Sequence, residues 1–338
     1  FGIGWYQRTL TIKEKAAGKY FLCFDGIMEN STVWVNDICV GGRLYGYSSF
    51  KLDVTEALQE GENRLLVKVD NTKTPTDRWY AGAGIYRRVC LEEVPEVYLD
   101  PEKVIVITKL AEGKAVLEIK TGLEEQVKAV LYSPEGVEAG ASLGEGALQM
   151  EVPEPVLWSA ENPLLYTLKL QLQGSQEEIQ DEITLKVGLR SVELKPDKGL
   201  FVNGKQVKLR GVCLHQEAGC FGTAVQKEIW RERLLELKKI GCNAVRLAHH
   251  LYMPEMLELC DELGFYVYEE AFDKWTGGAY GWKYATEWEK DLACMVMRDR
   301  NHPCILFWGV GNEVENQAYD SMLRMLENHV AKVKELDG

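Results

Sequence analysis

The chain has 338 residues, a formal net charge of -13, and 46% hydrophobic and 27% charged residues. Such a length holds two or three domains with substantial cores, and the acidic balance argues against nucleic acid or an anionic membrane as the main partner. No apolar run approaches the roughly 18 residues that a membrane-spanning helix requires.

From Phe1 to about Val94, short alternating runs broken by turn residues predict an all-β sandwich. Residues 20–24, 32–35 and 65–69 are its clearest strands, and Asn36-Asp37 is a turn signal. From Pro95 to about Leu189 the pattern continues, with strands at 104–107, 115–120, 129–132 and 166–172. A spacing of about ten residues suits a small immunoglobulin-like sandwich. From about Ser191 the period changes. Residues 207–211, 243–247, 265–268 and 305–310 read as strands, and 227–240, 255–263, 288–297 and 319–336 as helices. Ile229, Leu234, Leu235, Leu237 and Ile240 give the first helix an apolar face; Pro254 opens the second and Gly264 stops it. Strict alternation with short connections implies a parallel sheet with right-handed crossovers. Four such units are half of a (β/α)8 barrel. An open half barrel would expose strand edges, so the chain reads as cut from a longer protein, at its end and also at its start.

The nine cysteines are scattered, without CxxC pairs or metal-ligand spacing. Cys23, Cys90, Cys213, Cys242, Cys260 and Cys304 stand in apolar runs and read as small core residues. That pattern favours a reducing, cytoplasmic location. Export stays open, because the chain begins on Phe1 without Met.

The run Arg298-Asp299-Arg300-Asn301-His302-Pro303-Cys304 leads into the fourth strand, which ends in Gly309-Val310-Gly311-Asn312-Glu313. A carboxylate at the carboxyl end of a buried strand, with an amide beside it, suits an active site at a barrel mouth. There it can protonate a leaving oxygen. The plain alternative is a strand running out into a polar loop. The whole run resembles the acid/base signature of glycoside hydrolase family 2, the β-galactosidase, β-glucuronidase and β-mannosidase family. Phe24-Asp25-Gly26, Val33-Trp34-Val35-Asn36, Tyr45-Gly46-Tyr47 and Asp77-Arg78-Trp79-Tyr80 through Gly84-Ile85-Tyr86-Arg87 resemble that family's sugar-binding domain. Leu209-Arg210-Gly211-Val212-Cys213-Leu214-His215, Asn243-Ala244-Val245-Arg246-Leu247-Ala248-His249 and Glu269-Glu270-Ala271-Phe272-Asp273-Lys274-Trp275 match the ends of its first three barrel strands.

Glycoside cleavage with retention needs one protonated and one ionised carboxyl group, held about 5 to 5.5 Å apart. The resemblance makes Glu313 the acid/base, with a pKa raised while the neighbouring carboxylate is charged. It gives Asn312 the sugar 2-hydroxyl and Arg246 the task of keeping the nucleophile ionised. The alternative for Arg246 is a surface ion pair. The family's nucleophile is a Glu ending the seventh strand, so none of these residues takes that part, and the 338 residues alone are expected to be inactive. His215, His249, Asp273, Trp275 and Asp77 are the candidate substrate contacts. His302, at the opposite end of its strand, is structural. Trp308 is at least as well explained by packing as by a sugar ring.

Metal-dependent members carry Glu-x-His shortly after the strand-three Glu-Ala. Lys274-Trp275-Thr276 occupies that stretch here, and Arg78 and Met28 appear where those members place an Asp and an Asn. No metal and no cofactor are therefore expected. The expected fold is a jelly-roll-like β-sandwich over 1–94, an immunoglobulin-like β-sandwich over 95–189 and the first half of a TIM barrel over 190–338. The expected function is that of a retaining exo-β-glycosidase acting on β-linked oligosaccharides or glycosides, β-galactosidase ahead of β-glucuronidase, with homo-oligomers possible. The alternative from another class is a silent carbohydrate-binding fragment.

Overall fold

The computed structural model describes residues 2–174 and 178–337. Its first sandwich packs a four-stranded sheet, in the order Ile3–Ile12, Gly61–Asp70, Ser31–Val35, Ile38–Gly41, against a three-stranded sheet, Phe50–Asp53, Lys19–Phe24, Val89–Val94. Alternation drives the packing: Val33, Val35, Val67 and Val69 turn inward against Tyr20, Leu22 and Phe24, all buried. Asn36 and Asp37 carry φ of 48° and 68°, the left-handed pair that a tight hairpin turn demands.

The second sandwich sets Ile105–Ala111, Lys114–Lys120 and Ala147–Pro153 against Glu138–Glu145, Gln126–Tyr132, Tyr166–Gln173 and Ile179–Val187. Leu117, Ile119, Ala129, Leu131, Leu168, Leu170 and Leu172 fill its core.

The third unit is a parallel sheet of Gly211–Leu214, Ala244–Leu247, Tyr266–Glu270 and Ile305–Gly309, neighbours in chain order. It alternates with helices Lys227–Lys239, Pro254–Leu263, Tyr284–Asp299 and Asp320–Leu336. Val245 and Val267 pack toward the helices, while Cys213, Arg246, Tyr268 and Phe307 share the other face, which lines an open pocket of about 270 Å³. Among the described residues no helix is long and apolar enough to cross a membrane.

Four details differ from the sequence reading. The first barrel strand begins at Gly211, not at 207. Before it, Asn243 takes over the backbone, accepting from Arg210 N and donating to Lys208 O, so no ladder is needed there. A small meander, Val192–Lys195, Gly199–Val202 and Lys205–Gln206, precedes the barrel and sends Val202 into its core. The first helix buries Trp230 and Leu234, while Leu235 and Ile240 face solvent. Cys213 is exposed on the open face of the sheet, although Cys23, Cys260 and Cys304 are buried as expected, and all nine cysteines are free thiols.

Polar contacts weld the units together. Asp291 of the third helix is fully buried and accepts from Arg43 Nη2 at 2.6 Å, Ser48 Oγ at 2.8 Å and Tyr280 OH at 2.6 Å. Asn301 bonds Val104 O and Val106 N of the second sandwich. His302 lies 2.5 Å from Asp261, at the amino end of its strand.

The fourth helix buries His329 among Trp275, Trp288 and Tyr284, whose hydroxyl lies 3.0 Å from Nε2. Burial pushes its pKa down from 6.5 to about 4. The unfolded chain takes up this proton below about 6.5 and the folded chain only near 4. The stabilisation is thus complete above pH 6.5 and lost as the pH falls toward 4, on the order of 2 to 3 kcal/mol. Melting temperatures of the protein and of His329→Gln, followed from pH 7 to pH 4.5, should diverge in slope, the variant being flatter. Parallel curves would exclude His329 as the source.

Candidate active site

The carboxyl ends of the second, third and fourth barrel strands converge on one polar cluster. Arg246, on the second strand, donates from Nε to Glu270 Oε1 at 2.5 Å and from Nη2 to Asn312 Oδ1 at 2.9 Å. His249 Nδ1 lies 2.6 Å from the other Glu270 oxygen. The Ala248–His249 peptide is cis. Asn312 donates from Nδ2 to Asp273 Oδ1 at 2.8 Å, so its amide is held from both ends. Two glycines make the crossing possible. A Cβ on Gly309 would stand 2.6 Å from Glu270 Cγ, and one on Gly311 would stand 2.3 Å from Trp275 Nε1.

Glu313 follows at φ 44°, with its side chain half exposed in the cleft. Its Oε2 receives both Lys274 Nζ at 3.0 Å and Arg78 Nη1 at 2.8 Å. Arg78 comes from the first sandwich, and its other Nη lies 3.5 Å from Asp273. The Lys274 and Arg78 hydrogen bonds hold the Glu313 carboxyl below its ordinary range. The expected raised pKa depends on a charged carboxylate that these residues do not include; within them the two cations, which the sequence did not point to, act on Glu313.

The first sandwich supplies one wall through residues 76–83. Trp79 lies against His215 at 5.3 Å between rings and against His249 at 5.6 Å. Its indole donates to Tyr47 OH, which donates to Asp77, both at 2.9 Å. Burial pushes Asp77 up to about 6. Burial and the neighbouring His249 push His215 down, keeping its imidazole neutral. Tyr47 stacks at 3.6 Å on His250, which is buried.

The structure thus brings Glu313, Asn312, Arg246, His249 and Asp273 into one network, with His215 at its edge. It sets Asp77 behind Tyr47 and Trp79. Trp275 is buried with φ 51°, its indole donating to Val310 O at 2.6 Å and leaving only its edge toward the turn that carries Asn312. Trp308 donates to Asp337. The strand-three carboxylates part company. The strand runs to Glu270 and its pleat alternates, so the two side chains point to opposite faces. Glu270 faces Arg246; Glu269 is buried near Arg298 and Asp299, and burial raises its pKa strongly. Arg246 was expected to serve a carboxylate outside the chain, yet its partner here is Glu270. Glu270, Arg78, Lys274 and Trp79 were missed as site residues. The doubled Glu at the strand end was the available signal for the first. Nothing in the spacing could place Arg78 or Lys274 on Glu313.

A divalent cation does not fit the stretch after the third strand. Lys274 offers an ammonium where metal ligands would be needed, and with Arg78 it already neutralises Glu313.

Three family models match in succession. They are the sugar binding domain of glycosyl hydrolases family 2 over residues 1–95, a second model of that family over 101–190, and its TIM barrel domain over 192–337. A β-galactosidase of Bacteroides ovatus, BoGH2A, is 39% identical over 95% of the chain. A putative β-glucuronidase of Formosa agariphila is 36% identical over 97%. The chain spans 40% and 33% of these two relatives. The crystal structure of a glycosyl hydrolase family 2 member from Bacteroides cellulosilyticus superposes with a TM-score of 0.94 at 31% identity. It covers 99% of this chain and 46% of that one.

Proposed function

The chain belongs to glycosyl hydrolases family 2, and on that premise we propose that it is the amino-terminal part of a retaining exo-β-glycosidase, β-galactosidase ahead of β-glucuronidase. The observation that carries this reading is the position of Glu313. It follows the fourth parallel strand, half exposed, beside an Asn312 clamped between Arg246 and Asp273. Its Oε2 holds the two cations, and among the described residues nothing bonds Oε1, which is the oxygen to carry the proton.

In the proposed reaction Glu313 gives that proton to the glycosidic oxygen as the bond to the anomeric carbon breaks. A carboxylate outside these residues captures the sugar, and Glu313 then takes a proton from the water that releases it. Asn312 binds the 2-hydroxyl, its amide already oriented. Arg246, paired with Glu270, supplies fixed positive charge at the sugar. His215, a neutral imidazole, and His249 meet hydroxyl groups of the sugar. Asp273 acts by orienting Asn312, Asp77 by holding Tyr47 and Trp79, and Trp275 by supporting the turn at Val310. The proposed domain limits are 1–94, 95–189 and 190–338.

The test is turnover of p-nitrophenyl β-galactoside and β-glucuronide by the whole protein containing this chain, before and after exhaustive dialysis against EDTA. The expected result is hydrolysis with retention, fastest on the galactoside and unchanged by EDTA. Binding of both glycosides without cleavage would favour a silent carbohydrate-binding protein. Loss of activity restored by magnesium would overturn metal independence.

A further inference from the structure

The charges around Glu313 close on themselves only while it is ionised. Arg78 and Lys274 are the cations, Asp273 and Glu313 the anions, all within 3.5 Å contacts. Arg246 lies outside this count, because Glu270 already balances it. Lys283 is likewise spent on Glu29. Asp77, on the same loop as Arg78, bonds Tyr47 instead; pushed up to about 6, it is neutral over the acidic range. The proposed reaction starts from a protonated Glu313. Protonation leaves the two cations facing one carboxylate, with a positive charge uncompensated in the cleft.

A group on the substrate can supply the missing charge. Both cations touch the carboxyl that must reach the glycosidic oxygen, so their heads lie within one sugar substituent of that oxygen on the leaving-group side. Arg78 and Lys274 each carry free N–H donors beyond those used on Glu313. A guanidinium and an ammonium side by side suit a carboxylate or a sulfate. We propose that Arg78 and Lys274 form a recognition site for an anionic substituent, a carboxylate or sulfate, on the leaving-group sugar. Binding of that group draws both cations off Glu313 and lets it hold its proton. The inference rests on the glycosidase reading above and adds a substrate class to it: acidic β-linked oligosaccharides.

The test uses the whole protein and pairs of disaccharides that share the cleaved glycone. The leaving-group sugar is neutral in one and carries a carboxylate or a sulfate in the other. The readout is the ratio of kcat/KM within each pair, which a general loss of folding does not change. The wild type should prefer the acidic member by about 10- to 100-fold, the size of one charge-assisted hydrogen bond. Arg78→Ala and Lys274→Ala should each remove most of that ratio, and Arg78→Lys should keep part of it. A wild-type ratio near one, or a ratio unchanged in both alanine variants, overturns the proposal. Should no disaccharide be cleaved, the glycosidase reading fails, and calorimetric titration judges the anion site by itself. Glucuronic acid and glucose 6-sulfate should then bind more tightly than glucose, and lose that advantage in Arg78→Ala. Equal or absent binding of all three overturns the site as well.

Discussion

Glu313→Ala in the whole protein is expected to lower kcat by about 10² to 10⁴ on glycosides with poor leaving groups, the span that general acid catalysis covers. Substrates with good leaving groups need less protonation, so their loss should be smaller in the first step. Azide should restore turnover of an activated aryl glycoside, because a small anion can attack the glycosyl-enzyme without a general base. The removed side chain also frees room for it, since Glu313 is half exposed in the cleft. Equal losses on good and poor leaving groups, with no azide effect, would remove Glu313 from the role.

Glu270→Ala should unfold the protein more readily than any exchange at Glu313. The Glu270 side chain is completely buried and answers both Arg246 and His249. Removing it leaves the Arg246 guanidinium without its counter-ion, a loss of about 2 to 3 kcal/mol, below the full value for a buried pair because the Arg246 side chain is 36% exposed. Arg246 also loses the partner that orients it toward Asn312. Glu270→Gln should recover part of the stability, because an amide oxygen still accepts from Arg246. Denaturant midpoints of the three proteins make the comparison. A drop below about 1 kcal/mol for the alanine variant would mean that water replaces the carboxylate, as in an exposed ion pair.

The fold was legible because periodicity reports burial. Residues 305–310 are apolar without interruption, and 305–309 form a parallel strand that is buried at both ends and half-buried between. Period-two runs such as 32–35 and 115–120 gave the sandwiches in the same way. Where polar side chains replace the ladder, periodicity has nothing to report. Asn243 bonds the backbone before Gly211, which is why the first barrel strand was placed too early. The meander at 192–206 was overlooked although Asn203-Gly204, with φ of 52° and 73°, carries a hairpin signal. At the site, residues that end strands were readable, since Arg246, Asn312 and Glu313 follow apolar runs. Arg78 was not. It reaches Glu313 across more than two hundred positions of sequence, and only the packing of the first sandwich on the barrel brings them together.

Asp291 shows what kind of neighbour that sandwich is. With Arg43 and Ser48 on one side and Tyr280 on the other, its buried carboxylate leaves no slack for the sandwich to swing. The base of the sandwich beside the barrel is therefore masonry and not a door. On the proposed reading, the cleft beside Glu313 keeps its width whichever sugar arrives. The choice among leaving groups then falls to the side chains that the sandwich holds out, and a β-sandwich that takes no part in breaking the bond sorts the substrates that reach it.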